Sequence, residues 1–203
     1  MTGTDQRGSS LESHAREPQR TAVQYPGGLR ARYRWVGSGG AEALDAVSES
    51  SGSFSDHGSL VSSEPDRLCR AELRIEGPLG EWTARFASPI SDEPSGLLWD
   101  TAGLLVVKYG FATYGLVGRT GDLRWWHASR TPVLAVLGSS RLPHVIVQSE
   151  LETFALRDDG ETAWRLAHAD VVTEAELVGG SLVLTSYGGL YQPLDPLTGR
   201  ALG

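Results

Sequence analysis

From about residue 58 onward, short apolar stretches alternate with polar and glycine-bearing breaks, and no long amphipathic helical stretch interrupts them. Three stretches match one another: 104–109 (LLVVKY), 145–148 (VIVQ) and 182–185 (LVLT). A second apolar stretch follows each, at 112–118, 151–156 and 190–194, and a shorter one precedes each, at 97–99, 133–137 and 173–178. Short runs of this kind, bounded by Gly, Pro, Asp and Ser, read as strands. Each set then meets a polar turn: RTGDLRW (119–125), DDGETAW (158–164) and PLTGRALG (196–203). The turn glycines Gly121, Gly160 and Gly199 stand 39 residues apart. A tryptophan follows the first two by four residues, as Trp125 and Trp164; Gly203 holds that place in the third.

A period near 40 residues that carries several strands means one supersecondary unit repeated, and four antiparallel strands per unit make a propeller blade. An earlier, degenerate copy is legible around GPLGEW (77–82), with Gly80 in the turn and Trp82 in line with Trp125 and Trp164. Its strands are read at 59–63 and 71–76, and its first strand falls within 42–57. Upstream, Leu29, Ala31, Tyr33 and Trp35 alternate with Arg30, Arg32 and Arg34, the pattern of a half-buried strand. GSGG (37–40), a short helical stretch (41–50) and a Ser-rich loop (51–59) follow. Residues 1–22 are polar and unpatterned, and disorder is expected there. The expected fold is all-β: a small or partial β-propeller over 23–203, with three clear blades and one degenerate four-stranded blade, behind a disordered N-terminal tail. The blades are placed at 42–87, 95–128, 131–167 and 171–203. Three closures are open: a compact ring in which 29–35 completes the last blade, two chains pairing into one larger propeller, or an open fragment.

The repeat resembles the PQQ-like β-propeller repeat. Leu194-Asp195-Pro196-Leu197-Thr198-Gly199-Arg200 matches its turn best. Thr120-Gly121 with Trp125 gives a second copy. Phe154-Ala155-Leu156 with Gly160 and Trp164 gives a third, with Asp159 where Thr would stand. The resemblance implies that Trp82, Trp125 and Trp164 are blade-docking residues; Gly121, Gly160 and Gly199, which take positive φ in the turns, are grouped with them as structural positions. The calcium ligands, aspartate base and adjacent-cysteine disulfide of quinoprotein dehydrogenases have no counterpart in the sequence, so no cofactor is expected.

Composition narrows the chemistry. A net charge of −7 argues against a nucleic-acid surface. No apolar run approaches 18 residues and no secretory leader is read, so no membrane contact is expected and the cytoplasm is the expected compartment. The single cysteine, Cys69, excludes an internal disulfide. His14, His57, His127, His144 and His168 show no metal-ligand spacing, so no metal site is assigned. GSGG lacks the Lys-Ser/Thr of a phosphate loop. Asp92-Glu93 and Asp158-Asp159 read as turn formers rather than an acid–base pair. No catalytic residue is assigned.

The expected function is therefore a non-enzymatic protein-binding module, a scaffold or an inhibitory, immunity-type partner. Tyr109, Phe111, Tyr114, Trp126, Tyr187 and Tyr191, at strand ends and loops, form the candidate partner surface. The expected partner is another protein, a second copy completing the propeller included. Two alternatives stand beside this: a ligand-binding or hydrolytic enzyme with its site at the ring centre, and a truncated propeller without independent activity.

Overall fold

Amphipathic strands cannot bury an apolar face alone; they pair, and the sheets then stack. The computed structural model describes residues 17–46, 48, 54–57, 67–78 and 80–202. These residues form four sheets. Blade 1 contains β1 (Gln19–Tyr25), β2 (Leu29–Val36), β3 (Phe54–His57), β4 (Cys69–Gly77) and β5 (Gly80–Ser88), in spatial order β1-β2-β4-β5-β3. A one-and-a-half-turn helix, α1 (Ala41–Ala46), lies in the insertion between β2 and β4. Blade 2 is a meander of β6 (Ser95–Trp99), β7 (Leu104–Tyr109), β8 (Ala112–Val117) and β9 (Leu123–Ala128). Blade 3 repeats it with β10 (Val133–Leu137), β11 (Val145–Ser149), β12 (Glu152–Leu156) and β13 (Thr162–Ala167). Blade 4 has three strands, β14 (Val172–Val178), β15 (Ser181–Ser186) and β16 (Tyr191–Leu194), plus a single bridge from Leu194 to Ala201.

Blade 1 differs from the sequence reading. Its first strand is β1 rather than a segment within 42–57, so Gln19–Ala22 of the expected tail are strand residues; residues 1–16 lie outside the described set. The alternating stretch from Leu29 is the second strand of blade 1, paired with β1 and β4, and does not complete blade 4. Register explains this. Ala31, Tyr33 and Trp35 share a face with Ala71, Leu73 and Ile75, and both sets enter one core. Within 42–57 the chain instead forms α1 and β3, the latter a fifth strand parallel to β5. The strand expected at 59–63 falls outside the described residues.

Three cores hold the blades in sequence. The first, between blades 1 and 2, gathers Tyr33, Leu73, Phe86, Tyr109 and Tyr114, with the Phe86 and Tyr114 rings 4.8 Å apart. The second, between blades 2 and 3, gathers Trp99, Val106, Trp125, Val147 and Phe154. The third, between blades 3 and 4, gathers Leu142, Ile146, Ala155, Leu182, Leu184 and Leu194. Among the described residues no core joins blade 4 to blade 1, so the compact four-bladed ring is not formed and the blades make an open arc.

One contact recurs at each junction. The Trp82 indole N–H donates to the Gly118 carbonyl (3.1 Å), that of Trp125 to Asp158 (3.0 Å) and that of Trp164 to Pro196 (3.1 Å). Each ring lies against the next blade's turn glycine. A Cβ on Gly121, Gly160 or Gly199 would sit 2.5, 2.7 or 2.5 Å from the Trp82, Trp125 or Trp164 side chain. These glycines also hold φ of 78°, 86° and 68°, where a side chain is strained. The inner edge adds a polar tie between blades 1 and 2: the Tyr33 hydroxyl donates to Tyr25 Oη (3.1 Å), which donates to the Gly96 carbonyl (2.9 Å). Burial pushes both phenol pKa values up.

Candidate functional site

The six aromatics of the expected surface separate. Tyr109 and Tyr114 are 1% exposed and belong to the first core, which corrects their assignment. β7 and β8 lie between two blades, so side chains on either face are covered; burial raises the Tyr109 pKa and pushes that of Tyr114 up to about 12. Phe111 is half-buried in the turn between β7 and β8. Trp126 is 55% exposed on β9, on a different blade from the remaining two. Tyr187 (83%) and Tyr191 (70%) flank Leu190 (69%) in blade 4.

Blade 4 carries more than these tyrosines. Its Ala175, Leu177, Leu182, Leu184 and Leu194 enter the third core, so the alternate residues face away. Cross-strand register sets Glu174, Thr185 and Tyr191 in one row, Glu176, Val183 and Pro193 in the next, and Val178 with Ser181 in a third. The Val183–Pro193 pair occupies the register of Val106–Gly115 in blade 2 and Ile146–Ala155 in blade 3. Those four residues are buried, Gly115 under Trp125 of its own blade, whereas Pro193 is exposed and Val183 half-buried. The middle strands show the same difference: β7 and β11 are buried throughout, and in β15 only Leu182 and Leu184 are. Pro193 lacks an N–H, which suits an edge strand; its carbonyl accepts the Leu202 N–H (2.9 Å). Sequence reading missed Glu174, Glu176, Val183 and Pro193. The signal for Glu174 and Glu176 was the alternation in 173–178; Val183 and Pro193 lie in stretches whose periodicity does not say whether a second face is covered.

The polar side chains are tied into structural pairs. Lys108, the only lysine, is 7% exposed and donates to both Asp92 oxygens (3.1 and 3.0 Å); Asp92 Oδ2 also accepts the Gly110 N–H. Asp159 accepts the Glu161 N–H inside its turn (2.9 Å). In blade 3 the Thr153 hydroxyl donates to Gln148 Oε1, so the His168 Nε2–H donates to Thr153 Oγ1 (2.6 Å). Thr153 is fully buried and out of a substrate's reach. Glu152 accepts from Ser129 (3.0 Å) and pairs with Arg165 (3.7 Å), which also meets His127 (2.8 Å). Burial lowers the pKa of both His127 and His168; Arg165 adds to the shift at His127, and Glu152 opposes it at both. His144 donates its Nε2–H to the Pro196 carbonyl (2.8 Å). His14 lies outside the described residues, and His57 is in β3. Burial raises the Cys69 thiol pKa. Among the described residues no group of three His, Cys, Asp or Glu side chains is placed to hold a metal ion. Among the described residues, two open grooves lie between blades. One of about 400 Å³ lies between blades 1 and 2, along Leu29, Ile75, Trp82 and Leu98; one of about 480 Å³ lies between blades 3 and 4, along Leu142, Leu177 and Leu197.

No protein family and no curated protein matches the chain. Among solved structures it is similar to the computationally designed Ika8 protein, at 12% identity over 90% of this chain and 59% of that one, with a TM-score of 0.51. It is also similar to BamB from Moraxella catarrhalis (24% identity, 51% of this chain, 33% of that one, TM-score 0.43) and to the designed Ika4 protein (18%, 50%, 65%, 0.45). The chain thus spans a third to two thirds of each of these structures. The likeness to Ika8 is one of fold, and the four stacked sheets make the chain a partial β-propeller, present as an open four-bladed arc.

Proposed function

We propose that this chain is a non-enzymatic protein-binding propeller module, a scaffold or an inhibitory partner, built from PQQ-like repeats. In this reading Trp82, Trp125 and Trp164 are its docking residues, and its binding surface is the outward face of blade 4. One observation carries the reading. At the register where blades 2 and 3 bury Val106 and Ile146 under a neighbour, blade 4 offers Val183 beside exposed Pro193, with Tyr191 in the next row and exposed Tyr187 and Leu190 at the turn end of the same hairpin. Monomers seldom leave apolar surface contiguous without a use for it, and tyrosine is favoured among residues that dominate interfaces. A cytoplasmic setting fits the single buried thiol, and no helix among the described residues is long and apolar enough to cross a membrane. The test compares proteins captured by the wild-type chain and by Tyr187→Ser/Tyr191→Ser, followed by calorimetry with the purified partner. The variant should melt like wild type and bind at least about 30-fold more weakly, as expected for losing one hot spot. Unchanged affinity refutes the assignment of the surface.

A further inference from the structure

We propose that the outward face of blade 4 receives the outward face of blade 1 from a second copy of this chain, two copies closing head to tail into a ring of eight blades. The proposal rests on the reading of blade 4 as a binding surface and names its occupant.

The argument starts from register. In blade 1 the residues facing blade 2 are apolar, so the alternate positions face out. On β1, β2 and β4 these positions hold six arginines, Arg20, Arg30, Arg32, Arg34, Arg70 and Arg74, against two glutamates, Glu72 and Glu76. This basic face belongs to a chain whose net charge is −7. Part of it is tied down: Arg32 pairs with Glu76 (3.3 Å), Arg74 with Glu76 (3.3 Å) and Glu81 (2.9 Å). α1 leans on the end near Arg85 and Glu72, through Asp45 (2.7 Å to Arg85), and Ser48 beyond it donates to Glu72 (2.9 Å). Arg20 and Arg30 are exposed. The outward face of blade 4 is the complement. Along β14–β16 it carries Glu174 and Glu176, both exposed, no basic residue, and an apolar centre of Val183, Pro193 and Tyr191. Arginine is the cation best suited to both surfaces, since it pairs with carboxylates and stacks on tyrosine rings.

The sense of the contact follows from the chain itself. Each blade already packs its later face on the next blade's earlier face, so blade 4 on blade 1 repeats the order used three times within the chain. Two blade 4 faces meeting each other would oppose Glu174 and Glu176 to their own copies, which disfavours the isologous arrangement. A heterologous contact forms a ring when its rotation closes. Propellers typically close with about four to eight blades. Two copies supply eight; three exceed the range.

The experiment is a charge swap read by sedimentation and light scattering at about 100 μM, a level suited to micromolar affinity. Wild type should be a discrete dimer that weakens as salt rises. Glu174→Lys/Glu176→Lys and Arg20→Glu/Arg30→Glu should each be monomeric, with dimer affinity reduced about 100-fold or more. At a concentration low enough that wild type is also monomeric, both variants should melt close to it, because the four residues are exposed and dimerisation itself raises the melting temperature. Mixed one to one they should dimerise again, since each acidic face then meets a basic one. A monomeric wild type, a dimer that survives both swaps, or a mixture that stays monomeric overturns the proposal. The underlying reading fails separately: it falls if Tyr187→Ser/Tyr191→Ser disturbs neither dimer nor partner binding. It stands if that variant loses a different protein while wild type is monomeric.

Discussion

Replacing Trp125 by alanine tests how the blades are joined. Trp125 is 7% exposed. Its ring covers Gly115 of its own blade, packs in the core between blades 2 and 3 and lies against Gly160 of blade 3, while its N–H reaches the Asp158 carbonyl. Removing a buried tryptophan costs about 3–5 kcal/mol. The lost hydrogen bond contributes only at the lower end of its usual range of about 0.5–1.5 kcal/mol, because Asp158 is exposed and water can replace the indole. A loss near 4 kcal/mol takes a large share of a typical stability of about 5–15 kcal/mol. At roughly 2–4 °C per kcal/mol for a chain of this size, the melting temperature should fall by on the order of 10 °C. The assay is thermal and urea unfolding followed by circular dichroism, with Trp126→Ala as the internal control. Trp126 is the next residue and the same chemical type, yet 55% exposed, and its loss should stay within about 0.5 kcal/mol. A Trp125→Ala shift below about 2 °C, corresponding to less than 1 kcal/mol, or an equal shift from Trp126→Ala, refutes the docking argument.

Other perturbations probe separate contacts. Gly160→Ala places a methyl 2.7 Å from the Trp125 side chain at φ 86°, whereas Gly179→Ala meets only its φ of 60°, with nothing within 4 Å. The first should cost about 2–4 kcal/mol and the second about 1–2 kcal/mol in urea titrations; equal costs would remove the steric part of the argument. Asp92→Ala leaves Lys108 buried without its carboxylate and should cost about 3–5 kcal/mol, with Lys108→Met restoring part of the loss in that background. Additive losses in that double variant would count against the pair. His127 and His168 have pKa values below the usual histidine value, so below about pH 6.5 the unfolded chain binds protons that the folded chain resists. Stability should therefore fall as pH drops from about 7 towards the lowered pKa values, and His127→Gln/His168→Gln should flatten that slope; an unchanged slope would place the acid sensitivity elsewhere.

The repeat was legible because its key contact is written at a nearly constant separation, 39 residues at the first junction and 35 at the other two. Trp82 meets Gly121, Trp125 meets Gly160 and Trp164 meets Gly199, each a bulky residue against one that has no side chain. Blade 1 was less legible because 32 residues, 37–68, stand between β2 and β4, where blade 2 has the two residues Gly110 and Phe111. The alternation in Leu29–Val36 marked a strand, but its partner Cys69–Gly77 could be found only by register across the insertion. Tyr109 and Tyr114 were misplaced on the surface because propensity does not say whether a strand is covered once or twice. The near-continuous apolar run LLVVKY is the mark of cover on both faces, and all six of its residues are buried.

The same rule separates the two ends of the arc. A blade covered on both faces needs apolar residues on both, as β7 and β11 have. A terminal blade that faces water needs a polar outer face, as terminal repeats of stacked proteins do. Blade 1 meets that need with arginines and with α1 across one end of its face. Blade 4 meets it in part: Glu174 and Glu176 of β14 point outward with Ser181 and Thr185 of β15, but Val178, Val183, Pro193 and Tyr191 share that face. Apolar side chains thus stand on a blade surface that no other described blade covers, and this is the surface the proposed contact would bury.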